Sequence, residues 1–297
     1  MGLDYYHVDV FSKKPFSGNG LIIFPNADTL TRESMQILTQ EMRQFESIFY
    51  YQKDVNTYRA FIFTMKEELD FAGHPLLGLA SIIHELNAKD NLRNEVNIEL
   101  NKKIVKVVTI KNEGYYSATM NQGTPKFLYS LNQNEEIEFL SYLNLNHNDK
   151  YQNTNFEVVT TGLPYLIVPV KSSSLSKVKV TIPDLAKHLL AVNAKFFYVL
   201  DVENRKGRTW DNAGLVEDIA TGSSAGPVGA FLVKNGLEKL NTQIVLTQGE
   251  FVNRKSILKV FVNGKNSNIE DVLVEGDVVK IGTGTIIAQI DDSNLKI

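Results

Sequence analysis

Glu67-Glu68-Leu69-Asp70-Phe71-Ala72-Gly73-His74-Pro75, continued by the run to Leu86, is the stretch on which the fold turns. Leu76, Leu77, Leu79, Ala80, Ile82, Ile83 and Leu86 predict a helix that is apolar on nearly every side. Such a helix has to be wrapped by other elements, not laid on a surface. Pro75 suits the first helical position, where a missing N–H costs nothing, so His74 is expected near the cap. A buried helix whose first N–H groups open beside a glycine and a histidine offers partial positive charge to a carboxylate or a phosphate.

Laid on itself with a shift of 149 residues, the sequence repeats this arrangement without a gap. Arg59 falls on Arg208, Phe61 on Trp210, Glu68 on Glu217, Gly73 on Gly222 and His74 on Ser223. Gly18 to Pro25 also resembles Gly162 to Pro169 at a slightly different shift. Chance is the competing explanation, since glycine, proline and aliphatic residues are common. A true duplication predicts two similar lobes whose helix starts could face each other. The matched positions differ in chemistry, with Glu46 opposite Lys195, Leu69 opposite Asp218 and His74 opposite Ser223, which suits a site between lobes that takes different groups from each.

The chain has 297 residues, 43% of them hydrophobic, enough to fill one large or two ordinary cores. A formal charge of −3 gives no general attraction to nucleic acid or to an anionic membrane, which leaves small molecules as the expected partners. There is no cysteine, so disulfides, thiolate metal sites and thiol nucleophiles are excluded together. The start Met1-Gly2-Leu3-Asp4 lacks a signal pattern, and no apolar run approaches the about 20 residues that span a bilayer. A soluble, cytoplasmic protein is the expectation.

Read in order, the chain predicts strands at Tyr5 to Phe11 and Leu21 to Phe24, a helix from Asp28 or Thr29 to Phe45, and strands at Phe45 to Tyr51 and Tyr58 to Thr64. Three further strands lie between Val96 and Met120. Composition changes at Gly123 to Asn155, which places the lobe boundary near 120 to 125 and gives lobes 1–122 and 123–297, the last strand being able to cross back to the first lobe. The second lobe repeats strands and helices, with a central helix after Ser223 and closing strands at Ile244 to Thr247, Ile257 to Val262, Val278 to Ile281 and Ile286 to Ile290. The class is α+β, strand-heavy, with one buried helix per lobe.

Four side chains are candidates for chemistry. Glu46 lies between Phe45 and Ile48-Phe49, so strand alternation alone could turn it to water. In a cleft walled by those aromatics, desolvation would instead raise its pKa and make it a proton carrier near neutrality. His74 could be a packed, hydrogen-bonded histidine, but its place beside Gly73 favours a functional one. Asp218 and Ser223 could simply suit a helix start. Taken with the repeat they give an acid, an imidazole, a second acid and a hydroxyl at two helix mouths. The five histidines show no paired ligand spacing, so no metal is expected. Gly222, Gly226 and Gly229 do not make a phosphate loop, and Gly282-Thr283-Gly284 reads as a turn.

Val8-Asp9-Val10-Phe11, Gly18-Asn19, Glu46-Ser47, Glu68 to Pro75, Thr161-Gly162-Leu163-Pro164-Tyr165, Glu217-Asp218 to Ser223, and Gln248-Gly249 with Arg254 together resemble the phenazine-biosynthesis (PhzF-like) isomerase family, in the family's order and over nearly the full chain. That family shares the fold of diaminopimelate epimerase. The resemblance implies two pseudo-symmetric lobes, each a curled, mostly antiparallel sheet or barrel around a central buried helix. It also implies a homodimer, no metal and no organic cofactor. By the same resemblance Glu46 is the acid/base that moves a proton along a substrate, and His74 and Asp218 hold and polarise substrate polar atoms. Gly73, Gly222 and Ser223 then bind substrate oxygens, typically those of a carboxylate. The expected function is a cofactor-independent isomerase of a small carboxylated metabolite. The alternatives are an epimerase or racemase with unlike acid/base groups, or a non-catalytic anion-binding protein of the same fold. Thr64 is followed by Met65, and Asn253-Arg254-Lys255-Ser256 follows Gln248-Gly249 at a distance; both depart from the family's usual Phe-Thr-Pro and Gly-Arg-Pro-Ser and weaken the link to a phenazine substrate. Without cysteine, the two-thiol mechanism of the epimerase branch is excluded.

Overall fold

The computed structural model describes residues 2–211, 213–266 and 268–288. The chain falls into two compact units, Met1–Met120 with Glu275–Ile297, and Asn121–Val274. The first unit takes in β1 (Leu3–Val10), β2 (Asn19–Phe24), α1 (Arg32–Met42), β3 (Glu46–Asp54), β4 (Thr57–Thr64), the two-residue β5 (Glu68–Leu69), α2 (Gly73–Asn87), β6 (Arg93–Glu99), β7 (Ile104–Lys111) and most of β8 (Tyr116–Gly123). The second takes in β9 (Lys126–Ser130), α3 (Gln133–Tyr142), β10 (Glu157–Thr160), β11 (Pro164–Val170), α4 (Leu185–Ala191), β12 (Phe196–Asp201), β13 (Lys206–Arg208), α5 (Gly222–Lys234), β14 (Gln243–Gln248) and β15 (Ser256–Lys265). The last strand, β16 (Asn268–Ile286), belongs to the second unit at its start and to the first at its end.

In the first unit the strands follow the order β1-β2-β3-β4-β6-β7-β8-β16, and β1 pairs with β16 from Leu3↔Ile286 to Val10↔Val278. That last pairing closes a barrel of eight strands, a size whose interior side chains or one packed element can fill. Here α2 fills it, packed against β1, β2, β3, β6 and β7, with every residue from Gly73 to His84 buried. The all-round apolar surface of this helix is therefore met by strands on all sides. On the outer face, Met35 and Leu38 of α1 pack against Phe24, Phe49, Phe61 and Phe63, with Phe24 stacked on Phe49 at 4.7 Å.

The second unit repeats this plan by itself. Its order is β9-β10-β11-β12-β13-β14-β15-β16. The parallel pairs β11–β12 and β13–β14 stand where β2–β3 and β4–β6 stand in the first unit. The edge strand β9 pairs with β10 as β16 pairs with β1. α5 packs on β10, β11 and β15 and begins at Gly222, 149 positions after the start of α2 at Gly73. The fold is α+β, two pseudo-symmetric lobes each built on a curled, mostly antiparallel sheet around a buried helix.

Several expectations are corrected in detail. α2 opens at Gly73, so His74 is its second residue and Pro75 its third, still in the first turn where an N–H has no intrahelical partner. The predicted helix ending at Phe45 is a short 3-10 turn, Ala27–Thr29, then α1, which ends at Met42 with Arg43 in the left-handed region. Gly282-Thr283-Gly284 is not a turn but lies inside the 19-residue β16, paired with His7, Tyr6 and Tyr5. A Cβ on Gly284 would meet the ring of Tyr5 at 2.5 Å, so any other residue there would make that ring shift. Residues 289 and 290 of the predicted last strand lie outside the described residues.

Candidate functional site

Within the first unit, Glu46 opens β3 between Leu21 of β2 and Thr64 of β4. The two-residue period of a strand puts Glu46 on one face with Ile48 and Tyr50, and Ser47 and Phe49 on the other, where α1 packs. Both faces of β3 are covered, so its first five residues are all buried and Glu46 is only 7% exposed. The reading in which alternation turns Glu46 to water is thereby corrected. His74 on α2 is 3% exposed, and its Nδ1 lies 2.9 Å from Glu46 Oε2. The two atoms meet at ion-pair distance but without hydrogen-bond alignment. Glu46 Oε2 and His74 Nε2 both lack a hydrogen-bond partner. Buried polar atoms are nearly always paired, so two orphans in one contact mark a place where the protein leaves bonding capacity unused.

The backbone beside them carries the same signature. The N-cap of α2 is Ala72, which offers no side-chain acceptor, and the first turn holds no acidic residue. Gly73 and His74 thus present N–H groups at the positive end of a buried helix without a side-chain cap, Pro75 having none to offer. Anions bind at such ends.

Within the second unit, Asp218 and Ser223 flank the start of α5, and Gly222 is its first residue. Asp218 is 8% exposed and its backbone N–H donates to Thr209 O at 3.0 Å. The Thr221 hydroxyl donates to Asp218 Oδ2. Gln248, at the end of β14, donates from Nε2 to Asp218 O at 2.9 Å and to Thr221 Oγ1 at 3.0 Å, and accepts at Oε1 from Thr221 N at 3.2 Å. Ser223 holds the position in α5 that His74 holds in α2, and its Oγ shares a 2.7 Å hydrogen bond with Tyr165 Oη. As in α2, no side chain caps this helix and its first turn has no acid. Tyr198 is fully buried, and burial, then the Asp218 carboxylate, push its phenol well above the usual range, so it stays neutral. Thr221, Tyr165 and Gln248 carry no sequence-level expectation of a role. All three stand in segments that resemble the family, and that was the available signal.

Lys195, the repeat counterpart of Glu46, is exposed, so the second unit has no carboxylate at the start of β12. Among the described residues, no group of three or more histidine, aspartate or glutamate side chains is arranged to hold a metal ion, and no helix is long and apolar enough to cross a membrane. The cavities outlined at Tyr151, Lys171 and Glu203 and at Ser81, Glu85 and Tyr116 involve none of the residues above. The buried pair and the uncapped helix starts are better guides to chemistry than those open hollows.

A family model described as phenazine biosynthesis-like protein matches residues 8–284. Trans-2,3-dihydro-3-hydroxyanthranilate isomerase of Pseudomonas aeruginosa is 30% identical over 295 residues, covering 94% of this chain and 98% of that one. A solved structure of a predicted epimerase from Pseudomonas aeruginosa is 40% identical with a TM-score of 0.91, covering 97% of this chain and all of the other. A hydroxyproline epimerase from Agrobacterium vitis, 13% identical with a TM-score of 0.62 over 96% of this chain and 92% of its own, shares the fold.

Proposed function

Because the chain belongs to the phenazine biosynthesis-like (PhzF) family of isomerases, we propose that it shifts a proton within a small carboxylated metabolite, with Glu46 as the acid/base. The observation that carries this reading is the Glu46–His74 contact, two buried titratable groups 2.9 Å apart with Oε2 and Nε2 unpartnered. In the step proposed, the Glu46 carboxylate takes a proton from carbon and the C–H electron pair moves into the adjoining π system. The double bond shifts, and the Glu46 carboxyl returns the proton to the far carbon, which restores the carboxylate. His74 donates or accepts at the substrate's polar atoms, and the N–H groups of Gly73 and His74 at the helix start receive a carboxylate. Asp218, Gly222 and Ser223 are given the substrate's remaining polar atoms. Support comes from the family resemblance and from their place at the helix start equivalent to that of His74. This chemistry draws on side chains and backbone alone.

A second reading is epimerisation at one carbon by unlike groups such as Glu46 and Asp218, favoured by the 40% identity to a structure described as a predicted epimerase. Incubation of trans-2,3-dihydro-3-hydroxyanthranilate and of chiral amino and hydroxy acids in heavy water tests both. A double-bond shift with deuterium at the receiving carbon supports the first reading. Deuterium at a carbon whose configuration inverts supports the second. Turnover or exchange that survives in Glu46→Gln removes Glu46 from its role.

A further inference from the structure

We infer that Gln248 and Thr221 are positioning residues that fix the direction of hydrogen bonding at Asp218, so that its carboxylate, held at Oδ2 by a hydroxyl and at Oδ1 by the Ala220 N–H at 3.4 Å, meets substrate as an acceptor. The inference rests on the proposed place of Asp218 at the substrate. Its structural part stands within the second unit alone.

The direction of each bond follows from groups that can act in only one sense. Thr221 N–H is an obligatory donor, so the atom 3.2 Å from it must be the amide oxygen of Gln248. Asp218 O is an obligatory acceptor, so the atom 2.9 Å from it must be the amide nitrogen. The two backbone groups read opposite ends of one amide, and its orientation has no alternative. The second proton of the amide nitrogen then points to Thr221 Oγ1 at 3.0 Å. The threonine oxygen accepts there, and its own proton goes to Asp218 Oδ2, since a carboxylate oxygen can only accept. Gln248 is 1% exposed and Thr221 8%, so water does not compete for these bonds. Tyr198, whose phenol feels the Asp218 carboxylate, is neutral.

Gln248 lies 30 positions beyond Asp218 and reaches back across the turn Asp218–Thr221, the stretch that sets where α5 begins. A glutamate in its place could not donate to Asp218 O and would free the hydroxyl to turn away. Thr221→Ser keeps the donor, and Thr221→Val keeps the shape and removes it.

Hydrogen-bond scalar couplings in the wild-type chain test the orientation directly. The expected result is a coupling between Gln248 Nε2 and the Asp218 carbonyl carbon and another between Thr221 N and Gln248 Cδ. Their absence, or free-glutamine exchange rates for the Gln248 amide protons, would overturn the inference without any variant. In Thr221→Val the Asp218 Cγ resonance should move and broaden, while Thr221→Ser keeps it in place. An unchanged resonance in Thr221→Val overturns the chain at its last bond. With trans-2,3-dihydro-3-hydroxyanthranilate as probe, Thr221→Val and Gln248→Glu should lower kcat/KM about ten- to a hundredfold, mainly in kcat, the loss expected for one hydrogen bond to a charged group, and Thr221→Ser should restore it. Couplings present with turnover unchanged in Thr221→Val would remove Asp218 from the substrate and leave the hydrogen-bond chain standing.

Discussion

Arg208 grips Glu217 through two parallel hydrogen bonds, Nε to Oε1 at 2.8 Å and Nη2 to Oε2 at 2.7 Å, with both side chains only 10% exposed. The remaining guanidinium nitrogen Nη1 donates to Leu175 O at 3.0 Å and Val178 O at 3.2 Å, and the plane lies over the rings of Trp210 and Phe251. The repeat counterparts Arg59 and Glu68 make no such pair. Arg59 turns to Asn101 and, at 3.8 Å, to Glu99, while Glu68 pairs with Arg32. Asn101 also donates to Glu68 at 2.8 Å and so stands between the two, and the direct buried clamp of one unit is an indirect, more exposed set of contacts in the other.

Arg208→Ala should therefore lower the unfolding free energy by about 3–5 kcal/mol, because it strands a buried carboxylate. Arg208→Lys should lose nearly as much, since an ammonium cannot make the bidentate contact and stack on the rings at once. Arg59→Ala should cost roughly 1 kcal/mol or less. Guanidinium denaturation of the three variants measures the difference. Equal losses at Arg59 and Arg208 would refute the contrast.

A second prediction separates stability from activity at Glu46. Two buried groups held at 2.9 Å without hydrogen-bond alignment contribute little to folding, because an unsatisfied buried polar atom carries its desolvation cost uncompensated. Glu46→Gln should lower turnover by at least about a hundredfold while leaving the denaturation midpoint unchanged or raised. A loss of more than about 2 kcal/mol in stability would mean that the pair is structural.

The buried helix was the most legible part of the sequence. An all-round apolar run can only be enclosed, and the repeat places Gly73 and Gly222 at equivalent helix starts, as the two helices show. Strand alternation could not orient Glu46, because the rule assumes one wet face and β3 is covered on one side by α1 and on the other by α2. Glycine read as a turn split β16 in two, whereas Gly284 answers the ring of Tyr5 across the pair. The Gln248 network left no local pattern, since its partners are backbone atoms 27 and 30 positions away. The changed partners of Arg59 and Glu68 were invisible for a similar reason, the letters being the same in both halves.

His84 gives a pH prediction. It is fully buried in α2, with Nε2 3.0 Å from Asn91 O and Nδ1 2.7 Å from Thr109 Oγ1. A carbonyl can only accept, so Nε2 carries the proton and Nδ1 accepts from the threonine. Burial pulls the pKa below its ordinary value; the Asn91 carbonyl opposes this, Lys111 adds to it, and a weaker bond at Ala88 opposes it. The native ring therefore resists protonation that the unfolded ring accepts. Its contribution is complete above the unfolded value of about 6.5 and falls as the pH drops from there toward the lower native value. His84→Gln should flatten the stability curve between about pH 7 and 5 relative to wild type by at most about 1.4 kcal/mol per pH unit. Parallel curves for the two proteins over that range would contradict it.

The last prediction concerns Gly207, in β13 between Leu200 of β12 and Gln248 of β14. A glycine inside a strand ordinarily weakens it unless something approaches the backbone closely. Here the phenol of Tyr198 does, and a Cβ on residue 207 would fall on its oxygen and on two ring carbons. Tyr198 is fully buried and has no room to withdraw, so Gly207→Ala should cost about 1–3 kcal/mol. Tyr198→Phe should give no relief, because the ring carbons clash as the hydroxyl does. Tyr198→Leu should give relief, and the Gly207→Ala/Tyr198→Leu double variant should be more stable than the sum of the single losses by roughly 1 kcal/mol or more. Additive losses in that cycle would show that the strand tolerates a methyl by shifting elsewhere, and the close contact would then not be the reason for the glycine.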